Sequence, residues 1–213
     1  MTERDSRRTQ LIEAAARLVS RGGVAALSAR NVAAEAGMST KPVYSAFGSM
    51  EALLRAVVTE GFDRLEQRIV IGPSADPLAD IATLTAGYLE FARTEPALYA
   101  VMFGISSFGQ APAIPRAELV PDRQRTFDRI TDNFQRAIDQ GRIQSTRAST
   151  LAYRWWVIVH GFATLESAEF IGRERGGERV LEPLLVSLFV GEGDDAERAR
   201  ESVAAGVASS ALR

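Results

Sequence analysis

Residues 27–43 constrain this chain more tightly than any other stretch, because they spell one helix-opening device twice. Ser28 is placed to cap a helix, its side-chain oxygen accepting from an amide of the first turn that has no partner within the helix. Leu27 and Val32 take the N′ and N4 positions of a hydrophobic staple around it. Ser39 repeats the arrangement, with Met38 at N′ and Val43 at N4. Gly37, following Ala36, ends the first of the two helices with left-handed backbone. Two capped helices joined by a turn of roughly three residues have the anatomy of a helix-turn-helix. A longer helix is expected ahead of them, from Thr9 to Arg21. Leu11, Ala15 and Leu18 share one of its faces, Ile12 and Val19 lie beside them, and Gly22-Gly23 stops it.

Pro42 falls at N3 of the third helix, where a missing amide costs nothing. Ser39 must then cap through the amide of Lys41, and Lys41, preceding proline, is biased away from helical angles. The first turn of this helix is therefore expected to be irregular. Lys41 is also the only lysine in a chain whose other bases are all arginine. It reads either as a solvated surface charge or as a phosphate or guanine contact favoured by the positive end of the helix.

Charge is distributed unevenly. The net charge is −2, but residues 1–60 hold eight basic and six acidic residues, leaving the remainder at −4. A mildly basic head on an acidic body suits contact with nucleic acid at one end. With 46% hydrophobic and 24% charged residues the composition is that of a globular protein. No cysteine is present, which excludes disulfides, thiolate metal sites and cysteine nucleophiles. No signal core follows the polar N-terminus, and no apolar run reaches the length of a membrane span. The run closest to one, Trp155–Ala163, is broken by Arg154 and His160. A cytoplasmic protein is expected.

The pattern Leu27-Ser28-x-Arg30-x-Val32-Ala33-x-x-Ala36-Gly37-Met38-Ser39-x-x-x-Val43-Tyr44-x-x-Phe47-x-Ser49-x-Glu51-x-Leu53-Leu54 resembles the N-terminal domain of the TetR family of tetracycline-repressor-like regulators. The resemblance implies that Ser28 and Arg30 approach phosphates and that Thr40, Lys41, Pro42 and Ser45 lie at the major groove; Ser39, the cap, is counted with them among the candidate DNA-binding residues. It implies a phosphate contact for the Tyr44 hydroxyl, where a half-buried aromatic with its hydroxyl in water is the plainer alternative. It makes Val32, Ala33, Val43 and Phe47 the core of the head. One position departs from the pattern. The family usually carries lysine before the glutamate that opens the fourth helix, and Met50 stands there. That helix is left to bind phosphate through its amides near Ser49.

The rest of the chain reads as helices, so the expected fold is all-α: a three-helix head, residues 1–54, on a helical ligand-binding and dimerisation body, residues 55–213. Leu54, Val58, Phe62, Leu65 and Ile69 line a fourth helix, and residues 71–77 break it. Helices follow over Leu78–Arg93 and Ala97–Phe103, then an irregular stretch from Gly104 to Pro121, then a stripe of Phe127, Ile130, Phe134, Ala137 and Ile138 ending at Gly141. Residues 147–171 are apolar nearly all round, with Leu151, Trp155, Ile158 and Phe162 on one face and Ala152, Trp156, Val159 and Ala163 on another. Such a helix is covered on more than one side. With the apolar set Val180, Leu181, Leu184, Leu185, Leu188 and Phe189, it is expected to form a four-helix interface with a second copy. Leu151, Ala152, Trp156, Val159, Ala163, Leu181, Leu184, Leu185 and Leu188 are the candidate interface residues. A buried central helix in a monomer is the alternative.

Trp156-x-x-x-His160-Gly161, with Leu98-Tyr99-x-x-Met102-Phe103, is similar to a TetR C-terminal subgroup with a Trp-His-Gly signature. Candidate ligand contacts are Phe91, Met102, Phe103, Phe127, Phe134, Trp155 and His160, although most aromatic residues here also suit a core. His160 is the only histidine, and a hydrogen-bonded structural role competes with ligand contact. Residues 191–213 alternate alanine with charge and then turn small and polar, which reads either as a final short helix or as a frayed end, with no role assigned. No catalytic triad, glycine-rich phosphate loop or metal constellation is visible, so neither enzyme activity nor a cofactor is expected. The expected function is a dimeric repressor of a palindromic operator, relieved by a small apolar effector. An activator, or a small-molecule carrier with a degenerate head, is the alternative.

Overall fold

A computed structural model describes residues 3–104, 107–108, 111–112, 120–144 and 147–211. The described residues are almost all helical. In chain order the helices are α1 (Glu3–Gly22), α2 (Ala29–Glu35), α3 (Lys41–Phe47), α4 (Met50–Ile69), α5 (Pro77–Thr94), α6 (Pro96–Met102), α7 (Val120–Asp139), α8 (Ala148–Ser167), α9 (Arg173–Gly176), α10 (Glu182–Gly191) and α11 (Ala196–Ala211). In the stretch read as irregular, Ser107–Phe108 pairs antiparallel with Ala111–Pro112.

Two compact units emerge, residues 1–65 with 95–123, and residues 66–94 with 124–213. The first is built on α1, whose Leu11, Ala14, Ala15 and Val19 are fully buried. The helix begins at Glu3 rather than Thr9. Residues 5–10 are polar and, Ser6 apart, exposed, so apolar periodicity could not reveal them. A short 3₁₀ turn, Val24–Ala26, leads into α2 and α3. Across α4, Leu54, Val58, Phe62, Leu65 and Ile69 are all buried, as their spacing predicts. Near its middle α4 meets α6 closely. A Cβ on Gly61 would stand only 2.9 Å from Met102 Cγ.

The second unit is fastened by a helix that the sequence pattern left unassigned. Asp195 opens α11 by accepting from the amides of Glu197 and Arg198 at 2.9 and 3.0 Å, and these bonds hold its carboxyl below the usual range. Ala199, Ser202, Val203 and Gly206 then form a buried face of small residues. This face lets α11 approach α5 at backbone distance. A Cβ on Gly206 would run into the Ala79 carbonyl and the Ala82 methyl and lie 2.9 Å from the Thr83 amide nitrogen. Gly206→Ala is therefore expected to destabilise the fold by roughly 1–3 kcal/mol through overpacking. Urea unfolding reads this as a lowered midpoint, and an unchanged midpoint would contradict the close approach.

Arg142 forms a buried charge network in the same unit. Its Nε and Nη2 donate to both carboxylate oxygens of Asp194 at 2.8 and 2.6 Å, and Nη1 donates to Asp76 Oδ1 at 2.9 Å. The Ser202 hydroxyl accepts from Nη2 at 3.0 Å and donates to Asp76 Oδ2 at 2.6 Å. Asp76 in turn caps α5, accepting from the Leu78 and Ala79 amides. One guanidinium thus ties the turn after α7 to the starts of α5 and α11. Its hydrogen bonds to Asp194 outweigh burial and raise its pKa. Burial works to raise the Asp76 carboxyl, but the bonds from Ser202 and Ala79, with Arg142 beside them, hold it below the usual carboxylate range.

Pro183 sits in the first turn of α10. The turn before it, Gly177–Leu181, widens to a π-helix in which the Glu182 amide donates to the Gly177 carbonyl. Proline has no amide to continue the ordinary register, so the distortion falls just ahead of it.

Candidate nucleic-acid interface and helical core

The head places its polar residues through local geometry. Ser28 Oγ accepts from the Asn31 amide at 3.1 Å, making the expected cap, and the Asn31 side chain donates back to the Ala26 carbonyl at 2.9 Å. Leu27, Val32 and Ala33 are buried beneath this corner. At the other end of α2, Gly37 has φ +67°, and the Met38 and Gly37 amides donate to Ala33 and Ala34 at 2.8 and 3.1 Å. This reversed pair of bonds is a Schellman motif, which satisfies the last carbonyls and sets the turn angle. Arg17 and Arg21 of α1 both reach Glu35 of α2 and hold its carboxyl below the usual range.

The opening of α3 differs from the expected one. Thr40, not Ser39, occupies the cap position, and it makes no side-chain cap bond. Pro42 therefore lies one position earlier than N3, and the Val43 amide closes a tight turn to the Thr40 carbonyl at 3.1 Å. The restriction that proline places on Lys41 accounts for this irregular start. With Thr40 as the cap, Met38 and Val43 fall at N″ and N3 instead of N′ and N4, so the expected second staple is not formed; Val43 is buried and Met38 half-buried.

Arg30, Ser39, Thr40, Lys41, Tyr44 and Ser45 are exposed, while Ser28 and Pro42 are half-buried. Tyr44 keeps 55% of its surface open, which is more than a core aromatic would show. The Ser45 hydroxyl donates to the Pro42 carbonyl at 3.1 Å. Phe47, expected in the core, is half-buried and carries the Arg8 guanidinium 5.1 Å from its ring centroid. Ser49 caps α4 by accepting from the Ala52 amide at 3.1 Å. Asn31, Arg8 and Glu35 support this surface and were missed in the sequence. Asn31, three residues after Ser28, was the legible signal among them.

The candidate ligand residues do not form one group. Met102 and Phe103 belong to the first unit, where Phe103 meets Phe62 and Tyr99 at 5.7 and 4.8 Å. The other five belong to the second. Phe134 packs on Phe189, and Phe91 is buried. Trp155 is buried with its Nε1 donating to Thr85 Oγ1 at 2.7 Å and its ring edge-on to Tyr88. His160 Nδ1 lies 3.2 Å from the Tyr88 hydroxyl, and burial pushes the imidazole below its ordinary pKa, so it is neutral at neutral pH.

The candidate interface residues need correction. Leu151, Ala152, Val159, Ala163, Leu181 and Leu185 are all buried within the chain's own core and have no surface to offer a second copy. Trp156 and Leu188 are half-buried, and Leu184 remains 41% exposed. The exposed apolar side chains of α8 are instead Tyr153, Val157 and Leu165.

Two family models match. Residues 11–57 match bacterial regulatory proteins of the tetR family, and residues 81–188, half of the chain, match a tetracyclin repressor-like C-terminal domain. The chain belongs to the TetR family. Membership makes it a DNA-binding transcriptional regulator with an N-terminal helix-turn-helix and a helical C-terminal domain. A structure of a protein with unknown function from Rhodococcus sp. RHA1 is similar, at 26% identity and TM-score 0.74, covering 88% of this chain and 96% of that one. A putative TetR-family transcriptional regulator from Rhodococcus sp. shares the fold at 21% identity and TM-score 0.66, covering 89% and 100%. RolR in complex with resorcinol shares it at 16% identity and TM-score 0.66, covering 94% of each chain. No curated protein matches the chain. No helix among the described residues is long and apolar enough to cross a membrane.

Proposed function

We propose that this TetR-family regulator is a cytoplasmic, dimeric repressor that binds a palindromic operator and leaves it when a small molecule occupies the helical body. In this reading residues 1–54 are the DNA-binding domain and residues 55–213 bind ligand and dimerise. The carrying observation is the open surface around α3. Ser39 and Thr40, just ahead of α3, and Lys41, Tyr44 and Ser45 on it are exposed, while Val43 of the same helix is buried in the head's core. Ser28, Arg30 and Pro42 complete the contact set. Lys41→Ala is expected to weaken operator binding by roughly 1–3 kcal/mol as a base contact. An unchanged affinity and salt slope would remove Lys41 from the set. Gel shift with the DNA upstream of its own gene tests binding, and a reporter in a deletion strain gives the sign of regulation.

The dimer reading moves to the outward side of α8 and α10. Val157 is 70% and Tyr153 59% exposed, and Leu165 and Leu184 lie open as well. Charge is scarce here. The two charges of α8 are paired, Arg154 with Glu192 and Glu166 with Arg93, and α10 carries only Glu182. An apolar face with so little unpaired charge supports burial against a symmetry mate. The resorcinol held by RolR supports reading the body as the receiver of a small effector. The Trp156-His160-Gly161 run is proposed as the signature of a C-terminal subgroup.

A further inference from the structure

Two kinds of partner hold arginines in the head. Arg17 and Arg21 of α1 share the carboxylate of Glu35, and Arg55 of α4 pairs with Glu51 at 3.0 Å. Arg8 of α1 is exposed, and among the described residues no carboxylate pairs with it. Its guanidinium lies instead over the Phe47 ring, 5.1 Å from the centroid. Phe47 is the last residue of α3 and only half-buried, so its ring gives the arginine a platform at the surface.

This seat leaves the charge usable. A guanidinium has five N–H donors, and contact with a ring face leaves most of them available. Such donors match the oxygens of a phosphate, and the ring contact has already cost the long side chain part of its freedom. The position suits that ligand as well. Tyr44 precedes Phe47 by three positions on α3, so the exposed phenol and the ring under Arg8 are neighbours on one side of the helix. Gly48, Ser49 and Met50, which follow Phe47 into α4, bring no charge. Arg8 is therefore the cation that Phe47 holds at this corner.

We propose that Arg8, seated on Phe47, contacts a backbone phosphate of the bound DNA, with Phe47 as its positioning residue. The ring fixes where the charge stands, and the remaining N–H donors take the phosphate oxygens. A contact of this kind anchors the head without reading sequence. It rests on the reading of α3 as the DNA-facing helix given above.

Fluorescence anisotropy of the full chain on labelled DNA tests the contact, using the duplex upstream of its own gene and an unrelated duplex across a salt series. Arg8→Met keeps an apolar chain against the Phe47 ring and removes the charge. It is expected to weaken both duplexes by the same factor, on the order of tenfold, and to reduce the salt slope by about 0.9 for each bound head. Arg8→Lys, which keeps the charge, is expected to restore the slope. Phe47→Leu removes the platform and is expected to weaken both duplexes, but to add little in the Arg8→Met background. If Phe47→Leu unfolds the head by circular dichroism, Arg8→Met and Arg8→Lys decide alone. Three results would overturn the contact: an unchanged salt slope in Arg8→Met, a loss confined to the upstream duplex, or a Phe47→Leu loss undiminished in the Arg8→Met background. Wild type that binds neither duplex at low salt overturns the DNA-facing reading of α3 together with the contact. Binding whose salt slope is indifferent to Arg8 overturns the contact alone.

Discussion

Arg142→Ala is expected to destabilise the fold by about 3–5 kcal/mol, a large part of the total stability of a typical domain. The side chain itself is small in the balance. What costs is the buried Asp194 carboxylate that it leaves behind, together with a Ser202 hydroxyl and an Asp76 carboxylate that lose a shared donor. Urea unfolding followed by circular dichroism measures the loss. The network also predicts an acid limb. Asp76 has its pKa lowered in the folded state, so below roughly pH 4 the unfolded chain binds more protons than the folded one. Its contribution is present above that pH and is lost as pH falls through the lowered folded-state pKa. In Arg142→Ala this limb should flatten. An unfolding midpoint within error of wild type would show that the network is not formed.

Val157→Glu is expected to separate the dimer while leaving the monomer folded. The side chain is 70% exposed on α8, so the change costs the isolated chain little, on the order of 0.5 kcal/mol. Across the proposed interface it would bury an unpaired carboxylate, which is far more costly than the lost apolar contact. Sedimentation velocity should show a monomer at concentrations where wild type is dimeric. Operator affinity should fall by on the order of 10²–10⁴-fold, because two linked heads become independent. A dimer unchanged in mass would place the interface elsewhere. Leu151→Ala makes the contrast, since it opens a cavity in the chain's own core and should lower stability without touching the dimer.

The helix-turn-helix was legible because its determinants are local. Ser28 needs only Asn31, and Gly37 needs only Ala33 and Ala34. The cap of α3 was misplaced by one residue because proline in the first turn changed the very geometry from which the cap was read. The tail was illegible for a different reason. The buried face of α11 is made of Ala199, Ser202 and Gly206, residues that carry almost no hydrophobic signal, and it is held by contacts far apart in sequence. Ser202 and Asp76 are separated by 126 positions, and no periodicity connects them. The Asp194-Asp195 pair before a run of helix formers was the one available sign. On α8 the all-round apolar pattern correctly implied cover on several sides. It could not say which side belonged to the chain itself, and Leu151, Ala152, Val159 and Ala163 were assigned outward when they face in.

In the proposed function the head around α3 binds an operator as one of a symmetric pair. Footprinting of the upstream DNA by the purified full chain, repeated across a salt series, tests it most directly. Protection of two half-sites about one helical turn, or a small multiple, apart is expected, with an affinity that falls steeply as salt rises. Absence of any protection at low salt, or an unpaired and sequence-independent footprint, would contradict it.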